Sequence, residues 1–290
     1  MANVTRQNMS ITTENITHAK IGAGETLVGS PLTRGTVQTS AFRRNWNIVR
    51  ELGLADFRLK YHDSALGYIW SMLNPLMMFG VYYFVFTRIF RNTIPNFPLF
   101  LLVGIVNYTF FQDCTFQGML SVASKAGIMK KIYFPRTLLV YSAASTALLS
   151  YVINTCVLCV LIYVIKGFTP LALLSFIPMI SLLFFSLGVA LVLATLFAFF
   201  RDMAQIWGVL VLVLFWLSPV VFNPETLPAP ISTVVYFNPL ARIFVLMRYC
   251  LLYDYFNLRF IVMTIVYSAV SFVIGLFVFT RYQDKLPELF

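Results

Sequence analysis

The sequence predicts an all-α integral membrane protein with six transmembrane helices, an amphipathic N-terminal interfacial helix, a short cytoplasmic helix and re-entrant outer helices before the last span. Three observations carry this reading. The first is composition: 59% of the 290 residues are hydrophobic and 11% are charged, against about 25% charge in a soluble domain. The second is the run of charge-free stretches, 64–87, 92–112, 137–165, 167–200 and 260–280, each long enough for the roughly 20 residues that cross a bilayer as one helix. The third is where the cations fall. With the basic island at 124–136 placed in the cytoplasm, fifteen of the 21 Lys and Arg lie on the inner side and six on the outer, the positive-inside asymmetry. A net charge of +10 does not imply nucleic acid here, because the cations flank apolar runs instead of forming a stripe; anionic membrane lipid and topology account for them.

Residues 1–40 are rich in Thr, Ser, Asn and Gly and lack an apolar run, so they bury too little to offset ordering and are expected to be a disordered cytoplasmic tail. Gly24-Glu-Thr-Leu-Val-Gly29-Ser30 echoes a phosphate-binding loop but lacks its lysine and a preceding strand. The sequons at Asn3, Asn8 and Asn15 lie in a tail that is not expected to be translocated. The amino terminus has no apolar core of a signal peptide.

Residues 41–62 are expected to form the amphipathic interfacial helix. Phe42, Trp46, Val49, Leu52 and Phe57 recur at helical spacing, while Arg43, Arg44, Arg50, Glu51, Asp56 and Arg58 fill much of the rest. Trp46 then sits at headgroup depth with the arginines on anionic lipid, although a partner domain is an equal use of that face. Gly53 is a candidate break in this helix.

Residues 63–285 form the transmembrane domain. The first span is 64–87 and the second 92–112, leaving Arg88 and Arg91 outside and Asp113 inside or at the inner edge of the second span. There an ionisable group needs a partner or a wet cavity, unless it sits at the interface near the helix end. The third and fourth spans, from 137–165 and 167–200, meet at an outer turn, Lys166-Gly167; Pro178 divides the fourth run, with 170–177 as a lead-in segment. Phe200-Arg201-Asp202 is a tight inner turn, and 203–224 spans outward with Trp216, Ser218 and Pro219 near its end. Between 225 and 259, Pro224, Pro228, Pro230 and Pro239 cut the chain into pieces too short to span. Residues 231–236 and 240–253 therefore read as helices that dip into the outer leaflet and return, tolerated where protein or water satisfies the backbone. The last span returns the carboxyl terminus to the cytoplasm.

The island, Ser124-Lys125-Ala126-Gly127-Ile128-Met129-Lys130-Lys131-Ile132-Tyr133-Phe134-Pro135-Arg136, carries four cations and no acid. Each cation costs about 2.5 to 3.5 kcal/mol at a bilayer centre, which holds the segment at a surface. Ile128, Met129, Ile132, Tyr133 and Phe134 suggest a short amphipathic helix that Pro135 stops. From the spacing alone, a basic loop that only sets topology and a helix that docks on a partner both fit. Cys114, Cys156, Cys159 and Cys250 fall in apolar surroundings and read as small hydrophobes. His18 and His62 are the only histidines, so no metal cluster is expected and no cofactor is implied in this chain.

Six ordered blocks carry a resemblance that covers most of residues 50–285: Leu66-Gly67-Tyr-Ile-Trp70 with Asn74-Pro75-Leu76; Phe97-Pro-Leu-Phe-Leu with Gly104 and Phe110-Phe111; Lys131-Ile-Tyr-Phe-Pro-Arg136; Phe200-Arg201-Asp202; Trp216-Leu-Ser-Pro219; and Asn238-Pro239-Leu240. The chain resembles the membrane (permease) subunits of ABC-2 type exporters of lipid-linked polysaccharide, O-antigen, capsular polysaccharide or teichoic acid. The polar tail is an extension outside that pattern. The resemblance implies a homodimer in the bacterial inner membrane with both termini cytoplasmic. It also implies two copies of a separate ATPase carrying ATP and Mg, and an undecaprenyl-linked polysaccharide as cargo; the chain is then not an enzyme on its own. It makes Lys130, Lys131, Ile132, Tyr133, Phe134 and Arg136 a coupling helix against the ATPase.

On this reading Tyr82, Tyr83, Phe86, Tyr108, Phe110 and Phe111 are candidate channel residues, with Phe84 beside them, because rings near the outer half of the first two spans stack on sugar faces. A lipid-facing belt or helix packing uses the same rings. Pro228, Pro239, Arg242 and Arg248 are candidates for an outer gate whose arginines meet pyrophosphate or acidic sugar, or pair with Glu225 or Asp254. Two other functions fit the architecture. One is an ABC-2 exporter of a small drug or lipid. The other is a membrane-embedded transferase acting on lipid-linked sugars, which needs a positioned base where the outer face offers Glu225 and Asp254 without a histidine.

Overall fold

A computed structural model describes residues 41–61, 67–89, 94, 96–129, 134–167 and 170–288. The polar tail with its loop echo and sequons, His62, Arg91 and the island residues Lys130, Lys131, Ile132 and Tyr133 lie outside the described residues. Every regular element among the described residues is helical. Four are long and apolar enough to cross a membrane: α3 (Phe97–Ser124), α5 (Thr137–Lys166), α6 (Phe176–Phe199, led in by a 3₁₀ turn at Pro170–Ser175) and α10 (Leu258–Tyr282, continued by a 3₁₀ turn). A fifth is counted if α8 (Ala229–Phe237) and α9 (Pro239–Arg248, continued by a π turn to Tyr253) form one span, but these bend by 102° at their junction. Pro239 at the start of α9 and the Asn238 side chain, which accepts from the Leu240 N–H at 3.0 Å, fix the corner. α2 (Trp70–Phe84, extended as a π turn to Ile89) and α7 (Met203–Leu217) are shorter.

α3 is the hub. In its most apolar stretch 78% of residues are buried inside the chain, against 28% for α5 and 22% for α10. α5 and α6 pack along α3, and α10 packs along α6. That last contact is set by glycine: a Cβ on Gly275 would overlap the Gly188 backbone, and one on Gly188 would overlap Ser271. Between helices bathed in lipid, backbone approach of this kind is a main source of attraction. The outward faces of α5, α7 and α10 carry Val160, Val164, Val209, Leu212, Val273 and Phe277 exposed, an apolar exterior that suits lipid and not water.

Two expectations are corrected. α3 begins at Phe97 and runs to Ser124, well beyond the expected end at 112, so Asp113 lies in mid-helix and not near a helix end. Residues 114–124 contain Cys114, Met119, Leu120 and Val122 packed in the core, and this apolar face carries the helix past the aspartate. Gly53 does not break α1 (Ala41–Tyr61). It is where α1 meets α5: a Cβ there would collide with the Ser145 hydroxyl, and Thr146 Oγ1 donates to the Gly53 carbonyl at 3.1 Å.

Candidate coupling, aromatic and outer sites

Both ends of the basic island are tied down. At its start Lys125, 8% exposed, donates to Asp56 of α1 and, at 2.8 Å, to Ser142 of α5. Taking an ammonium out of water is expensive unless it is paired and hydrogen-bonded, and here it is both. α4 (Ala126–Met129) follows as a single turn. At the far end Phe134 packs against a small core cluster formed by α3, α5, α6 and α10. Arg136 donates to the Gln283 carbonyl and to Asp284 Oδ1 at 3.0 Å, linking the island to the turn after α10. Pro135 precedes the first turn of α5, whose Leu138 and Leu139 amides bond to the carbonyls of Pro135 and Arg136.

The aromatic candidates separate into two groups. Tyr108, Phe110 and Phe111 are 4%, 2% and 1% exposed and hold α3 to its neighbours. Phe110 stacks on Tyr151 at 4.4 Å, Phe111 stacks on Phe185 at 5.9 Å and meets the Trp207 edge, and Tyr108 meets Phe215 and Phe244 edge-on. The Tyr108 hydroxyl donates to the Val211 carbonyl. These rings are packed within the chain, not at its surface. Tyr82 is half-buried, stacked on Phe215 at 5.2 Å and edge-on to Trp216. It lines a cavity of about 270 Å³ between α2, α3 and α7 with Tyr108, Gln112 and Gly208. Tyr83 is exposed and stacks on Phe79. Phe86 lies in the π turn against Phe97 at 6.2 Å, so Tyr82 and Phe86, four apart in sequence, face different neighbours.

The arginines expected at an outer gate are engaged within the chain. Arg248 is 1% exposed and donates to the carbonyls of Pro219, Phe100 and Val220. Its neighbour Gly104 has no room for a side chain, since a Cβ would lie 2.7 Å from Nη2. Arg242 donates to the Tyr236 carbonyl at 2.7 Å and lies over the rings of Phe260 and Tyr267. Neither pairs with Glu225, which accepts from the Tyr249 hydroxyl, or with Asp254. Pro228 is exposed ahead of α8, and Pro239 opens α9.

Sequence reasoning missed a second, more polar cavity of about 550 Å³ between α1, α2, α3 and α5. Lys60 from the last turn of α1 bonds to Asp113 at 3.1 Å on its wall, so the mid-helix aspartate has both a partner and a cavity. Asn154 bridges α5 to the Ser71 carbonyl at 3.1 Å, and Tyr151 donates to Asn107 at 2.6 Å behind it. The signal was present: Asn107 and Asn154 interrupt charge-free runs in which an unpaired amide is costly. Among the described residues no cluster of His, Cys, Asp or Glu is arranged to hold a metal. The four cysteines are free, with Cys114 and Cys250 buried and Cys156 and Cys159 exposed on the apolar face of α5.

Residues 49–252 match the ABC-2 type transporter family. The chain is 29% identical over 237 residues to the O-antigen export system permease protein RfbA of Klebsiella pneumoniae, covering 81% of this chain and 91% of that protein. It is 29% identical over 181 residues to the O-antigen export system permease protein RfbA of Myxococcus xanthus, covering 62% and 66%. It is 21% identical over 248 residues to the polysialic acid transport protein KpsM of Escherichia coli, covering 82% and 94%.

Proposed function

The chain belongs to the ABC-2 type transporter family, and from that premise we propose that it is the membrane-spanning permease subunit of an ABC exporter that moves a surface polysaccharide out of the bacterial cytoplasm. The observation that carries this is the match to an O-antigen export permease over 81% of this chain and 91% of that protein, together with a family match over residues 49–252 that takes in the island and the α8–α9 hairpin. Such a permease does no chemistry alone. Its work is to offer a path and to change shape when a partner hydrolyses ATP.

The finer reading has six spans with both termini inside, α2 and α7 serving as the first and fifth and α8–α9 as the re-entrant outer hairpin. The partner is a separate ATPase in two copies, holding ATP and Mg, and this chain pairs as a homodimer to enclose the path of an undecaprenyl-linked glycan. The island is the ATPase contact. Its anchoring through Lys125 to α1 and α5, and through Arg136 to the turn after α10, supports that role, because force on the island reaches three helices at once. Tyr82 is the ring best placed to meet cargo, half-buried on a cavity wall.

Purification of the tagged chain from its own cells tests this. An ATPase with nucleotide-binding motifs is expected to co-purify, and cysteines placed at Ile132 or Phe134 should cross-link to it. A chain isolated alone, with those cysteines labelled only from the periplasmic side, would refute both the partner and the topology.

A further inference from the structure

The cavity between α1, α2, α3 and α5 is graded along its length. On α2, Trp70, Ser71 and Asn74 line one end and Met77, Met78 and Val81 the other; on α3, Asp113 and Val106 line the cavity seven positions apart, about 10 Å along a helix. The polar end holds Lys60, in the last turn of an amphipathic helix whose Arg43, Arg44, Arg50 and Arg58 are exposed. That places the polar end at headgroup depth and the apolar end in hydrocarbon. An occupant matched to this lining is an amphiphile.

The charges narrow the choice. Lys60 and Asp113 face each other at 3.1 Å with side chains 35% and 34% exposed, and an ion pair that wet opens at little cost. A headgroup bearing one phosphate and one ammonium exchanges this pair for two, giving Lys60 an anion and Asp113 a cation. A purely anionic headgroup meets Asp113 unfavourably, and a quaternary ammonium has no N–H to donate to it. Asn74, exposed on the cavity wall, and the amide of Asn154 add hydrogen-bonding capacity for the phosphodiester. The volume of about 550 Å³ falls within the roughly 300–1,000 Å³ of small-molecule sites.

We infer that this cavity binds the headgroup of an inner-leaflet aminophospholipid, with the phosphodiester at Lys60, the primary ammonium at Asp113 and the start of an acyl chain against Met77, Met78 and Val81. The lipid joins α1 to α3 and makes the seating of α1 dependent on lipid composition. The site is independent of the cargo.

The full-length protein, reconstituted in an equimolar mixture of phosphatidylethanolamine and phosphatidylglycerol and then released for native mass spectrometry, reads the ratio of tightly retained lipids. The expected result is about fivefold enrichment of phosphatidylethanolamine, equivalent to about 1 kcal/mol, falling to the bulk ratio in Asp113→Asn. Asn74→Leu, which keeps both charges, should lower total retention. A bulk ratio or a preference for phosphatidylglycerol in the wild type would overturn the site, as would enrichment that persists in Asp113→Asn protein melting like the wild type. If Asp113→Asn does not fold, retention unchanged in Asn74→Leu overturns it instead.

Discussion

The guanidinium carbon of Arg248 lies 3.4 Å from the centre of the Phe100 ring, and the same group donates to the Phe100 backbone and to two carbonyls of the 218–220 reversal after α7. Arg248 therefore fastens the α8–α9 hairpin to α3 and to the end of α7. Arg248→Leu removes the donors and leaves carbonyls unsatisfied, at an expected cost of about 3 kcal/mol. Arg248→Lys should recover little, since one ammonium cannot reproduce a planar fork. Thermal unfolding in detergent checks both.

Truncation of the rings should separate packing from transport. Phe110→Ala and Phe111→Ala open holes in the core around α3 and should cost about 3–5 kcal/mol, seen as lost yield in the membrane. Tyr82→Leu keeps apolar bulk at a half-buried position and should insert normally while lowering polymer export. Normal export by Tyr82→Leu would show that this ring is also packing.

The contact between α6 and α10 has no space for a side chain at Gly188 or Gly275. Gly188→Leu should force the helices apart and destabilise the chain by about 3 kcal/mol or more. Gly80, with nothing near its Cβ position, should accept alanine within about 0.5 kcal/mol. The two melting curves, measured side by side, check the assignment.

Two ion pairs join α1 to α3, and they should behave differently. Asp56→Ala leaves Lys125 buried with one hydroxyl partner, and because Asp56 is itself 30% exposed the expected loss is about 2 kcal/mol. Lys60→Met breaks the wetter pair and should cost no more than about 1 kcal/mol. Hydrogen exchange along α1 should accelerate in Asp56→Ala more than in Lys60→Met.

Much of this architecture was legible because spans announce themselves by what they exclude. The charge-free run ending at 165 and the Phe200-Arg201-Asp202 turn place the ends of α5 and the start of α7 within a residue or two. Pro239 and its neighbours marked the bend between α8 and α9 for a similar reason, since breakers are local. The α3 boundary was misread because the charge-free run to 112 reads as the whole helix, whereas the helix continues past Asp113, which pairs with Lys60 of α1, distant in sequence. Gly53 was misread because a close-approach glycine and a helix-breaking glycine look identical until the facing Ser145 is known. Arg242 and Arg248 were expected to meet a ligand or to pair with Glu225 or Asp254, because no sequence pattern shows a guanidinium bonded to backbone carbonyls. The aromatic residues near the outer half of α2 and α3 carried no mark of which would be packed; that depends on which helix lies opposite.

The most direct test of the export function is the fate of the polymer in cells lacking this protein. The permease reading predicts that surface polysaccharide disappears while lipid-linked polymer accumulates inside, and that the wild-type chain restores export. Unchanged surface polysaccharide, or loss of the polymer with no internal accumulation, would contradict it.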